Sequence, residues 1–235
     1  MKKIVCVFSL LVITLISILN ADTLTLKEAQ EAVCRITCDE SSIGTGTVFQ
    51  EDEYRFYILT NAHVVDGCKD IKIQFFEKVD ISEKFLGILI FKRFDKKYKD
   101  LAIITVNKIL LGKLKPRIIP LAPKLNFEKD TYLFGSGFPA GRWLQSWQGK
   151  ILFNHGEVFE INMPPHGGQS GTAVLANIGE KTYIIGILSI RVDNLNFEET
   201  KIIYSRGLVV SLNNIYKMLE EDTVIDELPE EATEK

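Results

Sequence analysis

Between Ala32 and Val210 the chain is a succession of short apolar runs, each cut off by glycine, proline or charged residues, and that rhythm excludes most folds. Amphipathic helices need apolar residues at i, i+3 and i+4 over longer stretches than these runs provide. Short β-rich segments at regular spacing instead predict an all-β barrel or sandwich. The first group of predicted strands covers residues 33–38, 44–49, 56–60, 71–76, 85–91 and 101–106, and the second covers 131–134, 150–153, 157–161, 172–175, 183–190 and 202–210. Lys113, Lys115, Pro116, Pro120 and Pro123 interrupt pairing between the groups, so 107–129 reads as a crossover joining two β units of similar size. After Ser211, a capping residue, Leu212, Ile215, Met218 and Leu219 recur at helical spacing and predict a terminal helix over 212–219.

The ends differ from this body. Met1-Lys2-Lys3 precedes an apolar run from Ile4 to Leu19 and then Asn20-Ala21, the pattern of a secretory signal peptide cleaved after Ala21. An uncleaved anchor is the alternative, although a bilayer span needs about 20 apolar residues. The expectation is an exported protein, periplasmic or secreted, with no stable membrane span once the signal is removed. Residues 22–31 form an N-terminal segment, and 220–235, rich in acid and carrying Pro229, reads as a disordered tail. A net charge of -3 offers no basic footprint for nucleic acid. Once Cys6 leaves with the signal, Cys34, Cys38 and Cys68 remain, enough for one bridge and a thiol left over. Cys34 and Cys38 share one face of a strand and either could reach Cys68. The bridge expected is Cys38 with Cys68; the alternative is three small buried apolar residues. The spacing lacks the paired ligands of a zinc site, and no metal is implied.

One loop concentrates the chemistry: Pro164-Pro165-His166-Gly167-Gly168-Gln169-Ser170-Gly171-Thr172. Its glycines allow backbone conformations that a Cβ would obstruct, so the loop can aim a hydroxyl and its own amides at one point. A serine is a poor nucleophile alone and needs a histidine base oriented by a carboxylate. His63 in Thr60-Asn61-Ala62-His63-Val64-Val65 and Asp100, read as immediately preceding the strand Leu101-Ala102-Ile103-Ile104, are the candidates. Asp66, Asp70 and Asp95 rival Asp100 on charge alone but read as solvated turn residues. Taken singly, His63 and Ser170 would each read as structural.

Together with Gly44-Thr45-Gly46-Thr47-Val48-Phe49 and Gly135-Ser136-Gly137-Phe138-Pro139-Ala140-Gly141, these motifs make the chain resemble the trypsin/chymotrypsin-fold serine proteases, nearest to the HtrA-like branch. The resemblance spans nearly all of the expected mature chain except the acidic tail. It implies two six-stranded antiparallel Greek-key β-barrels with a short C-terminal helix: a protease domain over 32–219, with barrel one at about 32–107 and barrel two at about 130–211. The implied function is a serine endopeptidase acting on protein or peptide substrates through His63, Asp100 and Ser170, without a cofactor. The oxyanion donors would be the amides of Gly168 and Ser170, and Pro164, Ser189, Ile190, Arg191 and Gly207 would contact substrate. Pro164 stands where trypsin-like enzymes carry aspartate, so a Lys or Arg preference is not implied; a small or medium apolar side chain is the default.

The chain departs from relatives in three places. Gln169 replaces the aspartate that digestive enzymes pair with a new N-terminus, so activation by that ion pair is not expected. Thr172 replaces a frequent second glycine after the serine. The acidic tail is too short for a PDZ module, so regulation through one is not expected within this polypeptide. A protease fold that captures peptides without turnover, or an exported chaperone-like protein, are the competing functions. Subunit number is not legible.

Overall fold

In the computed structural model the described residues are 26–222 except 28, 78–79, 82, 96–97 and 197–200. The expected signal segment, 1–21, and residues 223–235 of the expected tail lie outside them. β1 (Val33–Cys38), β2 (Ser42–Glu51), β3 (Arg55–Thr60), β4 (Ile71–Glu77), β6 (Phe85–Asp95) and β7 (Lys99–Asn107) close in the order β1-β2-β3-β7-β6-β4, with β4 pairing back to β1. A two-residue strand, β5 (Asp80–Ile81), is attached to β4. β8 (Tyr132–Gly137), β9 (Gln145–Asn154), β10 (Val158–Ile161), β11 (Ala173–Ile178), β12 (Lys181–Asn196) and β13 (Lys201–Ser211) close in the order β8-β9-β10-β13-β12-β11. Numbered within each barrel, both follow first-second-third-sixth-fifth-fourth, a Greek-key connection made twice. The expected pair of six-stranded antiparallel barrels is therefore present.

Why the barrels dock is written in β3 and β7. A strand buried on one face alternates apolar and polar, but Phe56-Tyr57-Ile58-Leu59 and Leu101-Ala102-Ile103-Ile104 are continuous and almost wholly buried. Their side chains divide by parity. Phe56, Ile58, Ala102 and Ile104 join the core inside barrel one, whereas Tyr57, Leu59, Leu101 and Ile103 join a second core that includes Leu188 and Val209 of barrel two. Each strand thus serves two cores, and separating the barrels would expose one full face of both.

The terminal helix, α2 (Leu212–Glu221), packs Leu212, Ile215, Met218 and Leu219 into that shared core. The Ser211 hydroxyl accepts from the Asn214 amide as N-cap. The helix runs two residues past its expected end, and there Glu221 pairs with Arg93 and Lys99 of barrel one. The crossover contains a short helix absent from the sequence reading, α1 (Lys108–Leu111), capped by the Asn107 side chain, which accepts from the Ile109 amide. It is then stitched to both barrels: the Ile119 amide donates to the Val48 carbonyl, and the Ala122 amide to the Ile184 carbonyl.

Most strand starts shift by one or two residues from expectation, and two of the differences have a visible cause or consequence. β9 begins at Gln145 because Trp147 pairs with Gly135 and lays its ring where a Cβ would stand, a cross-strand fit invisible in the polar stretch 145–149. β7 begins at Lys99, so Asp100 lies inside the strand rather than before it.

Cys38 at the end of β1 and Cys68 are bonded, with Cα atoms 5.5 Å apart, and Cys34 is a free, fully buried cysteine. Burial pushes the Cys34 thiol pKa far up. The bridge spans a sequence separation of 30, a loop whose closure should stabilise the fold by about 3 to 4 kcal/mol through the unfolded chain. A Cys38→Ser, Cys68→Ser double variant should accordingly lose about that much in denaturant unfolding, while Cys34→Ala should leave the number of titratable thiols in the folded, oxidised protein lacking residues 1–21 at zero, as in its parent. A double variant as stable as the parent would show that the loop needs no bridge.

Candidate active site

The site lies where the ends of β3 and β7 meet the serine loop. Register pairs Thr60 with Ala102, which brings the residues after β3 alongside Asp100. The Asn61 side-chain amide donates to the Asp100 carbonyl at 2.9 Å and fixes that juncture. The chain then turns through a single 3-10 turn, Ala62–Val64, whose buried Ala62 and Val64 leave His63 facing the cleft. The His63 amide donates to Asp100 Oδ1 at 3.0 Å and its Nδ1 meets Asp100 Oδ2 at 2.8 Å. A carboxylate at that distance selects the tautomer with the proton on Nδ1, leaving the Nε2 lone pair toward the cleft.

Asp100 is buried, and its carboxylate is the electrostatic centre of the site. Burial by itself would raise its pKa, but the His63 hydrogen bond and charge, the Ser189 hydroxyl and the His63 amide outweigh burial and hold it below the ordinary value. The Ser189 Oγ donates to Oδ2 at 2.6 Å. Sequence reasoning placed Ser189 on the substrate side and missed this bond. No motif marks it, because it joins residues of β12 and β7 that lie 89 positions apart in the sequence.

Ser170 sits between the barrels. The Thr45 amide of β2 donates to the Ser170 carbonyl at 2.8 Å, and the Gly171 amide to the Leu188 carbonyl of β12 at 2.9 Å. Gly171 has φ +86, and a Cβ there would strike the Thr45 carbonyl and the Thr60 hydroxyl, so glycine is required. Gln169 is buried, its Oε1 accepting from the His166 amide at 2.8 Å. The residue that replaces the digestive enzymes' aspartate therefore closes its own loop. Among the described residues the amides of Gly168 and Ser170 donate to no protein acceptor. The Ser170 hydroxyl donates to the Ser189 carbonyl at 3.1 Å rather than to His63.

The expected specificity residues are spread around this centre. Ile190 is half-exposed and, with Phe94, Tyr98 and Leu208, walls a cavity of about 270 Å³ beside His63. Pro164 is half-buried; Arg191 is exposed and donates to the Ser205 hydroxyl at 2.9 Å. Gly207 is buried, and a Cβ there would meet the Met163 carbonyl. A larger groove, between Lys27, Phe76 and Leu114, shares no residue with the site.

Residues 44–187 match the family model of the trypsin-like peptidase domain, more than half of the chain, and the chain belongs to that family. Among curated relatives, a Staphylococcus epidermidis protein named "Serine protease HtrA-like" is 24% identical over 198 residues, covering 77% of this chain and 31% of that protein. A Bacillus subtilis "Serine protease Do-like HtrA" is 33% identical over 48 residues, 20% of this chain and 11% of that protein. The chain thus spans about a third or less of the length of these relatives. Of solved structures, a serine endoprotease from Yersinia pestis aligns with TM-score 0.63 at 19% identity over 87% of this chain and 66% of that one. The active form of the M. tuberculosis Rv3671c protease aligns with TM-score 0.59 at 17% identity, covering 83% and 82%. At such identities these likenesses establish the fold.

The Asp100 arrangement sets an acid-side expectation. A carboxylate whose folded pKa lies below its unfolded one adds stability above the unfolded value, and that stability is lost as pH falls through the folded value. Ser189→Ala removes one donor and moves the folded pKa up. Its acid-unfolding midpoint, followed by circular dichroism, should therefore lie at higher pH than that of the parent; an unchanged midpoint would mean the Ser189 bond does not lower the Asp100 pKa.

Proposed function

We propose that this chain is an exported serine endopeptidase working through His63, Asp100 and Ser170. The observation that carries the reading is the His63 ring held by a buried carboxylate at 2.8 Å, beside a serine loop in which the Gly168 and Ser170 amides have no acceptor among the described residues. In the proposed reaction Ser170 Oγ turns from the Ser189 carbonyl toward His63, gives its proton to Nε2 and forms a bond to the scissile carbonyl carbon. The carbonyl π electrons move to oxygen, and that oxyanion accepts hydrogen bonds from the Gly168 and Ser170 amides. Collapse breaks the C–N bond, His63 returns the proton to the departing amine, and an ester to Ser170 remains. Water then attacks the ester with His63 as base and releases the acid. Asp100 stays ionised throughout and stabilises the imidazolium.

Substrates are proteins or peptides in extended form, lying along β12 with an apolar side chain against Phe94, Tyr98 and Ile190. Export rests on the Met1–Ala21 pattern, which lies outside the described residues. Among those residues no helix is long and apolar enough to cross a membrane. One observation favours peptide capture without turnover: the Ser170 hydroxyl rests on the Ser189 carbonyl.

The two readings separate by experiment. The protein lacking residues 1–21 should cleave unfolded casein and react with a fluorophosphonate probe, and Ser170→Ala should do neither. His63→Ala should lose nearly as much as Ser170→Ala, since triad members act as a unit, with kcat down by about 10⁴- to 10⁶-fold. Equal cleavage and labelling by parent and Ser170→Ala would remove the endopeptidase reading.

A further inference from the structure

Arg35 and Thr45 face each other across the β1–β2 ladder, and Gln74 of β4 faces Arg35 from the other side. Although all three belong to barrel one, the first two end on backbone atoms of barrel two. Thr45 Oγ1 is fully buried; it donates to the Gly168 carbonyl at 2.8 Å and accepts from the Phe138 amide at 3.1 Å. Arg35 Nη1 donates to the Gly141 carbonyl at 2.7 Å, while its Nε and Nη2 both hold the Gln74 side-chain oxygen.

Those backbone atoms belong to two segments locked together, 138–141 and 166–170. The Ala140 amide donates to the Gly167 carbonyl at 2.5 Å. Ala140 has φ +53, a left-handed conformation that a non-glycine residue keeps only when its surroundings impose it. Gly168, at φ +87, lies so near the turn that a Cβ would strike the Phe138 carbonyl and the Gly141 amide. A trans peptide is planar, with its C=O and N–H pointing opposite ways. Pinning the Gly167 carbonyl on Ala140 therefore aims the Gly168 N–H the other way, and pinning the Gly168 carbonyl on Thr45 fixes the next plane.

We propose that Arg35 and Thr45 are positioning residues for the oxyanion site: Arg35 holds the Ala140 turn that orients the Gly168 amide, and Thr45 holds the plane that follows. The inference rests on the endopeptidase reading for its catalytic consequence but not for its structural one. Direction matters here because a preorganised donor works only where the charge develops. Neither residue lines the cavity beside His63, so binding of the ground state is expected to stay intact.

The test pairs Thr45→Val and Arg35→Met with the rescuing Thr45→Ser and Arg35→Lys, and uses Arg55→Met, on an exposed ion pair with Asp52, as control. Hydrogen–deuterium exchange should rise at residues 138–141 and 166–170 in the first pair, stay at the parent level in Thr45→Ser and the control, and fall partway back in Arg35→Lys. On a peptide substrate kcat should drop about 10- to 100-fold, the scale of a small misplacement of catalytic groups, with KM within about twofold and an unshifted pH profile. Should Thr45→Val not fold, Arg35→Met carries the test, because its side chain is only partly buried. Unchanged exchange at both segments in a folded variant overturns the inference, as does a loss confined to KM. If the parent shows no Ser170-dependent turnover, the endopeptidase reading fails while the exchange result still decides whether these residues hold the loop.

Discussion

Burial of both faces of β3 and β7 is the constraint on which the rest of the molecule depends. Tyr57, Leu59, Leu101 and Ile103 stand apart from the core inside barrel one and pack into a second core with residues of barrel two and helix α2. At about 25 cal/mol per Å² of apolar surface removed from water, such a seam holds two barrels in one relative placement. The site inherits that placement, since His63 and Asp100 come from one side of the seam and Ser170 from the other. Short-range order could not supply it: 70 residues separate Asp100 from Ser170.

Within the seam the Asp100 carboxylate is the most demanding group. A buried carboxylate is costly unless donors surround it, and here three converge: the His63 ring, the His63 amide and the Ser189 hydroxyl. The same contacts that stabilise the charge also fix the ring tautomer, so stability and chemistry pull in one direction at this residue. Ser189 has a second part, since its carbonyl receives the Ser170 hydroxyl. One residue of β12 thus touches two members of the proposed triad.

Most strands were legible because short apolar runs ended by turn formers leave few alternatives, and the capped helix at 212 because its apolar positions repeat at helical spacing. The motif residues were legible through resemblance, which named His63, Asp100 and Ser170 and left their geometry unstated. What stayed hidden depended on partners distant in sequence. The early start of β9 follows from Trp147 filling space left by Gly135. The placement of Asp100 inside β7 follows from its register with β6, which pairs Phe94 with Asp100. Arg35 read as an ordinary strand residue, because nothing local indicates that a guanidinium on β1 will end on a carbonyl of the other barrel.

Cys34 illustrates how packing can resolve a problem posed by composition. Disulfide exchange proceeds through attack by a thiolate, and both access and ionisation govern its rate. On β1 the side chain of Cys34 is shut into the interior of barrel one, against the missing side chain of Gly46, and burial raises its pKa, which disfavours the thiolate. Among the described residues the cysteine left outside the bridge is thereby kept from sulfur chemistry in the folded state, so it need not scramble the Cys38–Cys68 crosslink or join two copies of the chain.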